Sequence, residues 1–288
     1  MPIADNPKDG GRRPVVRSVA SAYSFRVHLD GKVALVTGAS RGVGRAIALA
    51  LARAGVDVAC AARATDTAPR RLPGTIDATV RDIEAIGRRG LAIPTNLADI
   101  DAVQRMVEVA HIHFGRLDIL INNAAISFAG GIEVPLERYE LMMNVNVRAP
   151  LVAIRTVVPF MERQAGGSII NISSAAALYA FPGLMAYGMS KAALERLSID
   201  VAQQLEPTGI VVNTFRIDVP VASEGFVANL PKVDHSSWEP VEVPAEGVIW
   251  MLRQPPTYTG QLASMQALRA EHGIMPSRSA RPFGGFEF

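Results

Sequence analysis

The sequence has one cysteine, Cys60, so no disulfide can form within the chain. Cys60 lies in an apolar run, which indicates a buried core thiol rather than a nucleophile. Basic and acidic residues nearly balance, at 29 and 27. Because a protein without a strong positive field lacks the usual footprint of nucleic-acid or membrane-surface binding, we expect neither partner.

Long uninterrupted apolar stretches are also missing. The apolar runs are shorter than a bilayer-spanning helix needs, and no signal-peptide core follows the first basic residues. The chain has 288 residues, 49% of them hydrophobic, which is enough to bury a large core as one domain. We therefore expect a soluble, cytoplasmic, globular protein.

Residues 1–28 have little regular pattern and carry five basic side chains against two aspartates. We interpret this segment as a flexible N-terminal leader rather than a nucleic-acid-binding arm. A transit peptide stays open as an alternative, although the two aspartates count against it.

A glycine-rich turn joins a buried strand to a helix where the regular pattern begins. Val33–Val36 is wholly apolar, as in a strand buried on both faces of a parallel sheet. Glycines 38, 42 and 44 follow it, and then the helix-forming run 45–53. Backbone N–H groups at such a helix start bind phosphate, and the absent side chains let the anion approach. The pattern favours a phosphate site over an ordinary glycine turn.

Tyr187 and Lys191 lie four residues apart, just before an apolar stripe with helical spacing. Positions i and i+4 share one helix face, so the phenol and the ammonium point into the same space. A phenol has an ordinary pKa of about 10, and a nearby cation favours its ionised form. The pair is a candidate general acid/base with its activator, although the spacing alone also occurs in half-buried tyrosines beside solvated lysines.

The periodicity along the chain predicts alternating strands and helices. The predicted strands are 33–36, 56–61, 91–94, 118–121, 167–173 and 210–214, with a last one opening at 258–261. The predicted helices are 45–53, 76–86, 102–114, 139–164 (with bends at Pro150 and Pro159) and 244–252.

Taken in order with Asn122-Asn-Ala-Ala125, Asn146 and Ser174, these motifs resemble the short-chain dehydrogenase/reductase family. The resemblance runs from about Leu29 to Gln261. It implies one α/β domain with a doubly wound, Rossmann-type parallel sheet that binds a nicotinamide dinucleotide at the carboxyl ends of its strands. We place this domain at residues 29–265 and interpret 266–288 as a C-terminal tail or an oligomer contact. The resemblance also implies a homo-oligomer, either a dimer or a tetramer.

The resemblance assigns catalytic roles to four residues. In reduction, Ser174 would hold the carbonyl oxygen of a small-molecule substrate, and Tyr187 would donate a proton as hydride arrives. Lys191 would bind the nicotinamide ribose and lower the pKa of Tyr187. Asn146 would position a water that links Lys191 to solvent. Ser173 competes for the serine role, but strand alternation puts it on the opposite side from Ser174.

The cofactor-binding residues implied by the resemblance come from the carboxyl ends of the strands and from the catalytic helix, and no metal is implied. They are Gly38, Ser40, Arg41, Gly42, Val43, Gly44, Arg63, Asn96, Leu97, Asn123, Ala124, Tyr187 and Lys191.

The second predicted strand indicates which nicotinamide cofactor is used. An acidic residue at the strand's exit usually holds the adenosine ribose, but Asp57 lies before the strand and Ala62 at its exit. Arg63, with Arg41 in the glycine turn, offers two cations to a 2′-phosphate. The sequence therefore favours NADP(H), with two solvated surface arginines as the alternative.

Several positions depart from the family's pattern. Asn96-Leu97 replaces an Asp-Val pair, Ala125 replaces a glycine, and Ile217-Asp218 replaces Pro-Gly near the nicotinamide. The Asp218 carboxylate would either face the nicotinamide ring or cap its own turn. Residues 219–240 correspond to the family's mobile lid over the substrate, with a surface loop as the alternative.

We therefore predict an NADP(H)-dependent oxidoreductase that interconverts a carbonyl and a primary or secondary alcohol. Two other functions stay open on the sequence alone. One is a non-catalytic NADP-binding sensor or scaffold, because the departures lie in the cofactor pocket. The other is an epimerase or dehydratase of the same fold that oxidises its substrate only transiently. The substrate itself follows no motif.

Overall fold

A computed structural model describes residues 27–285 of the chain. Within this part, seven strands form one parallel sheet in the order β3-β2-β1-β4-β5-β6-β7. The strands are β1 (Val33–Thr37), β2 (Asp57–Ala62), β3 (Gly90–Pro94), β4 (Ile119–Asn122), β5 (Gly167–Ser174), β6 (Ile210–Ile217) and β7 (Leu262–Ser264). The order reverses between β1 and β4, which confirms the predicted doubly wound sheet.

Nine helices are described, and they cover both faces of the sheet. They are α1 (Gly42–Arg53), α2 (Ile76–Ala85), α3 (Ile100–Phe114), α4 (Leu136–Met143), α5 (Ala149–Arg163), α6 (Met185–Leu205), α7 (Glu224–Asn229), α8 (Glu242–Leu252) and α9 (Met265–His272). Successive residues of β1 belong to different core clusters: Ala34 and Val36 pack with α1 and α8, and Val33 and Leu35 pack with α3 and α5. This alternation explains the wholly apolar strand, because both of its faces are buried.

Local signals define the ends of several helices. The Thr75 side chain accepts a hydrogen bond from the Ala78 N–H at the start of α2. Asp99 does the same for the Asp101 and Ala102 N–H groups at the start of α3, and Gly115 ends that helix in the left-handed conformation. Such caps satisfy backbone groups that have no partner within the helix, so they fix where each helix begins or stops.

The helix predicted over 139–164 is interrupted earlier than its prolines indicated. A π-helical turn at Asn144–Arg148 separates α4 from α5. Pro150 lies in the first turn of α5, where a missing N–H costs little, and Pro159 lies inside α5. Isolated π-helical turns inside α-helices are frequent at functional sites, and this one carries Asn146.

The hydrophobic core includes residues beyond the domain boundary expected at residue 265. Met265 and Leu268 of α9 are buried, as is Met275 beyond it, and all three belong to the core cluster around α1 and α8. The chain up to Met275 therefore packs as part of the domain rather than as a separate tail. At the other end, residues 1–26 of the expected leader lie outside the described residues.

One helical stretch, Leu136–Arg163, has the length and composition to cross a membrane. This differs from the sequence expectation, which counted uninterrupted apolar runs. The observation is weak evidence for a span, because a core helix passes the same test. Ala153, Val157 and Met161 of this stretch pack in the core beneath the sheet. The cytoplasmic location stays a prediction.

Candidate active site

The residues with candidate functions lie together at the carboxyl edge of the sheet. Ser174 is the last residue of β5, and Tyr187 and Lys191 are on α6, which packs against β5. The glycine turn follows β1, and Asn123 follows β4. Because the strand order reverses between β1 and β4, a crevice for a dinucleotide is expected at this point.

Two glycines of the turn fit closely against Asn123. A Cβ at Gly38, where φ is +71°, would lie 2.8 Å from Asn123 Nδ2. A Cβ at Gly44 would collide with the same amide nitrogen and with the Gly38 carbonyl. Asn123 Nδ2 in turn donates a hydrogen bond of 2.8 Å to the carbonyl of Thr37. The turn is thus packed closely against the residue that follows β4, and it leads into the N-terminus of α1, where backbone N–H groups can bind a phosphate group.

Thr37 joins β1 to β4, and the sequence reasoning assigned it no role. Its hydroxyl donates to the Ile121 carbonyl (3.2 Å) and accepts from the N–H groups of Asn123 (3.0 Å) and Ala124 (3.1 Å). These three contacts use the full hydrogen-bonding capacity of a hydroxyl. Its position immediately before Gly38 was the available signal.

Arg41 and Arg63 lie near each other beside the glycine turn. Arg41 donates from Nε to the Pro73 carbonyl (2.7 Å) and from Nη2 to the Gly74 carbonyl (3.0 Å). Arg63 is exposed. Partial burial lowers the pKa of Arg41, with the Arg63 charge acting in the same direction and Glu224 opposing it. The structure therefore brings the two predicted cations together, although part of Arg41 is engaged by the loop before α2.

The remaining predicted cofactor residues also border this edge. Ser40 is buried and Val43 half-buried in the turn and first helix. Leu97 and Ala124 line one small cleft together with Thr37. Asn96 is exposed after β3 and accepts a hydrogen bond of 3.3 Å from the Ala98 N–H.

Asp57 lies at the opposite edge of the sheet. It is the first residue of β2, and its carboxylate accepts hydrogen bonds from the side chains of Arg88 (3.0 Å) and Arg89 (2.7 Å). This placement agrees with the sequence argument that Asp57 precedes the strand and does not hold the ribose.

Burial raises the pKa of Tyr187, and the nearby Ser174 hydroxyl opposes this effect. The sequence reasoning expected a lowered pKa from the neighbouring cation. Desolvation of the phenolate is the largest effect on Tyr187, so the phenol keeps its proton at neutral pH.

Lys191 is buried beneath this pair, with 2% of the residue exposed. Its Nζ donates a hydrogen bond of 2.8 Å to the Ile172 carbonyl and lies 5.7 Å from the centre of the Tyr187 ring. Burial lowers the pKa of Lys191 to about 8, and the Glu195 carboxylate opposes the lowering. The ammonium is therefore still the dominant form at neutral pH.

Asn146 connects the loop after β4 to α6. Its side chain accepts from the Ile126 N–H (2.9 Å) and donates to the Ile126 carbonyl (2.8 Å) and to Ser190 Oγ (3.0 Å). Ser190 is adjacent to Lys191. These contacts give the buried asparagine a structural role, and the expected water contact stays a prediction.

Three buried polar residues near the site were missed or assigned no role. Arg216 of β6 donates two hydrogen bonds to Glu195 of α6, from Nε (2.8 Å) and Nη2 (2.7 Å). Ser173 Oγ donates to the same carboxylate at 2.7 Å. Ser173 and Ser174 thus point to different partners, as strand alternation predicted. The helical spacing of four between Lys191 and Glu195 was the available signal.

Ile217-Asp218, which replaces the family's Pro-Gly, contacts helix α9 through Asp218. Asp218 Oδ1 accepts a hydrogen bond from the Gln266 N–H (3.1 Å), in the first turn of α9. The Asp218 carbonyl also accepts from Gln266 Nε2 (3.0 Å). The Asp218 carboxylate therefore holds the start of α9 rather than capping its own turn, and one of its oxygens accepts a backbone hydrogen bond there.

The expected lid, 219–240, has internal structure. It contains α7, and Phe226 stacks on Trp238 with ring centroids 4.5 Å apart. A Cβ at Gly42 would lie 3.2 Å from the Cβ of Ser223 and 3.3 Å from Glu224 Oε2. The start of α7 thus lies directly over the glycine turn.

The Cys60 thiol and the potential metal ligands are two other candidate sources of catalytic groups. Burial raises the pKa of the Cys60 thiol to about 12, which agrees with an inert core cysteine. Within residues 27–285, no group of three or more His, Cys, Asp or Glu side chains is arranged to hold a metal ion.

Known proteins resemble this chain over most of the described domain. Hydroxysteroid dehydrogenase-like protein 2 of Homo sapiens is 31% identical over 251 residues, which are 85% of this chain and 59% of that protein. The chain therefore spans about 59% of that relative's length.

Two solved structures extend the comparison. A blue fluorescent protein from a metagenomic library, in complex with NADPH, has a TM-score of 0.72 and 35% identity, over 83% of this chain and 97% of that one. Carveol dehydrogenase from Mycobacterium avium, in complex with NAD, has a TM-score of 0.73 and 21% identity, over 82% and 96%, which shows likeness of fold alone.

The sequence profile of short chain dehydrogenases matches residues 32–219. This range holds both the glycine turn and the Ser174, Tyr187 and Lys191 cluster. Because the match extends over more than half of the chain, the protein belongs to the short chain dehydrogenase family, whose members are NAD(P)-dependent oxidoreductases.

Proposed function

We propose that the protein is an NADP(H)-dependent oxidoreductase that interconverts a carbonyl and a primary or secondary alcohol by hydride transfer. The main support is the arrangement of Ser174, Tyr187 and Lys191, in which the Ser174 hydroxyl acts on the Tyr187 phenol and a buried ammonium lies 5.7 Å from the phenol ring. A protein that only binds a cofactor has no use for a proton donor held in this way.

The residues present fit a dinucleotide cofactor. Gly38 and Gly44 let the turn pack closely against Asn123, next to the start of α1, whose backbone N–H groups can bind phosphate. Arg41 and Arg63 offer two positive charges beside this turn, which supports NADP(H) over NAD(H). When bound, the cofactor supplies or accepts the hydride.

The chain's own residues handle the oxygen and the proton. In reduction, the Ser174 hydroxyl donates a hydrogen bond to the substrate's carbonyl oxygen and orients it. The Tyr187 phenol gives its proton to that oxygen, and Lys191 stabilises the phenolate that remains. Because the pKa of Lys191 is about 8, the ammonium is the main form at pH 7 and the stabilising cation is present. The reverse direction returns the alcohol proton to Tyr187.

The experiment is a screen of aldehydes, ketones and alcohols with NADPH or NADP⁺, followed by nicotinamide absorbance and product analysis. We expect a net change in reduced cofactor with at least one carbonyl, and a slower change with NADH. Product formation without net cofactor change would instead indicate an epimerase or dehydratase. Tight cofactor binding without turnover on any compound would favour a sensor or scaffold.

Assembly is a further part of the proposal. Dehydrogenases of this family work on small molecules and are commonly homo-oligomeric, so we propose a dimer or tetramer of this chain with no nucleic-acid or membrane partner. Sedimentation of the purified protein measures the assembly directly.

A further inference from the structure

A buried ion pair lies one helical turn beyond the catalytic lysine. The side chains of Glu195 and Arg216 are 7% and 10% exposed, and the two hydrogen bonds between them form a fork on one carboxylate. Ser173 Oγ adds a third hydrogen bond to this carboxylate. The pair is therefore held in one geometry by groups from β5, β6 and α6.

Ser173 and Glu195 are each close in sequence to a residue of the proposed active site, and Arg216 pairs with Ser173 across the sheet. Ser173 precedes Ser174 on β5, and Arg216 lies opposite Ser173 in the register of β5 with β6. Glu195 follows Lys191 by four residues on α6, so both side chains lie on one face of the helix. The pair thus connects the serine strand to the lysine helix.

The stability of the fold alone does not explain why a buried Glu195–Arg216 ion pair is present at this position. Removing two charges from water is costly, and well-packed apolar residues often stabilise a fold equally well or better. A carboxylate one helical turn from a buried ammonium has an additional effect, because its charge offsets part of the desolvation that opposes the charged form of the lysine. Glu195 acts on Lys191 in this sense.

We propose that Glu195 and Arg216 form a positioning pair for catalysis, in which the clamped Glu195 carboxylate keeps Lys191 positively charged beneath Tyr187. This role rests on the proposed function, although its first test does not require turnover. Arg216 both fixes the carboxylate and balances its charge, so it limits how strongly Glu195 acts on the lysine.

The groups facing Lys191 come from three elements. On α6 they are Tyr187 and Glu195, and on β5 the Ile172 carbonyl. On β6, Arg216 acts through Glu195, and the charge of Asp218, just after β6, acts on Arg216. Removing Glu195 and removing Arg216 should therefore shift the titration of Lys191 in opposite directions, which a purely structural pair would not do.

The test titrates the lysine itself by NMR of lysine-labelled protein without cofactor. The sequence has four lysines, and the Lys191 signal is identified by its loss in Lys191→Met. We expect Glu195→Gln to lower the pKa of Lys191 by about one pH unit, because an attractive charge is lost. Arg216→Met should raise it, because the carboxylate is then uncompensated.

Two further variants keep the test decisive if Arg216→Met fails to fold. The double variant Glu195→Leu with Arg216→Met replaces the ion pair by apolar residues and should fold. The pKa of Lys191 in this variant should be lower than in the parent protein. As a control, Asp200→Asn breaks the exposed Arg196–Asp200 ion pair on the same helix and should leave the pKa of Lys191 unchanged.

The pH dependence of kcat/KM is the second readout. Its limb assigned to the Tyr187–Lys191 pair should move in the same direction as the NMR titration in each variant. An unchanged Lys191 titration in Glu195→Gln would overturn the proposal. If the titration shifts while no substrate turns over, the positioning pair stands and the proposed oxidoreductase function fails instead.

Discussion

The ammonium nitrogen of Lys191 lies 5.7 Å from the centre of the Tyr187 ring while it donates a hydrogen bond of 2.8 Å to the carbonyl of Ile172. The lysine is thus anchored to β5 and still close enough to act on the phenol. Since burial raises the pKa of Tyr187, the free enzyme holds a protonated phenol, the form that reduction of a carbonyl requires.

Tyr187→Phe keeps the ring and removes only the hydroxyl. We expect turnover to fall by about 10²-fold or more, the usual scale for a lost general acid, while cofactor affinity changes little. Steady-state kinetics and calorimetry measure the two quantities. Tyr139→Phe, which alters a partly buried tyrosine in the same apolar cluster, is the matched control and should keep its activity. Near-normal turnover in Tyr187→Phe would rule out the assigned role.

Arg63→Gln tests the preference for NADP(H). A charge-assisted hydrogen bond contributes about 1.5–3 kcal/mol, so the variant should bind NADPH roughly 10- to 150-fold more weakly. NADH has no 2′-phosphate, and its affinity should stay within about twofold. Arg70→Gln, in the exposed loop before α2, is the control. If the parent protein binds NADH as tightly as NADPH, the predicted preference is wrong.

Much of this architecture could be predicted from the sequence, because it follows from local patterns. The apolar run at 33–36 gave β1, and the glycine spacing gave the turn and the start of α1 close to their observed positions. The i, i+4 spacing placed Tyr187 and Lys191 on one face of α6, as observed. Each of these features depends on residues adjacent in the chain, so no long-range contact was needed to find them.

Features that depend on distant contacts were missed. The break in the long helix falls at Asn144–Arg148 rather than at a proline, and Asn146 there bonds to Ile126 and Ser190. Asp218 is buried and accepts a hydrogen bond from Gln266, 48 residues away, in a segment that the sequence analysis interpreted as a tail or an oligomer contact. Pairings at such separations leave no periodic trace in the sequence.

Lys191→Met is expected to stabilise the protein at neutral pH while abolishing its activity. Burial lowers the pKa of Lys191 from 10.5 to about 8, a difference equivalent to about 3 kcal/mol. Because the folded-state value is the lower one, the buried charge costs stability at every pH below about 8. That cost falls as the pH rises towards the unfolded value and is absent above it.

The net gain should be smaller than this figure, about 1–2 kcal/mol, because the variant also removes the hydrogen bond to the Ile172 carbonyl. Denaturant unfolding at pH 7 and at pH 10 measures it, and the advantage should shrink at the higher pH. Lys32→Met, at a half-exposed lysine, provides the comparison. A variant less stable than the parent protein at pH 7 would contradict the expected cost of the buried ammonium.

Glu224→Gln is expected to strengthen cofactor binding. The Glu224 carboxylate lies against Gly42 in the glycine turn and acts on the charge of Arg41. A phosphate-bearing cofactor at this turn would meet a group of the same charge, so removing that charge should favour binding. Glu224 is exposed, and solvent and salt therefore limit the effect to about two- to fivefold in affinity at low ionic strength.

Calorimetric titration of NADPH at low and high salt distinguishes this electrostatic effect from a change in lid packing. The gain should be present at low ionic strength and largely lost at about 1 M salt, where charges separated by more than a few ångströms are screened. As a control, Glu108→Gln alters an exposed carboxylate on α3, on the other face of the sheet. It should change the NADPH affinity neither at low nor at high salt. A loss of affinity in Glu224→Gln, or a gain that persists at high salt, would show that Glu224 acts through the packing of α7 and not through its charge.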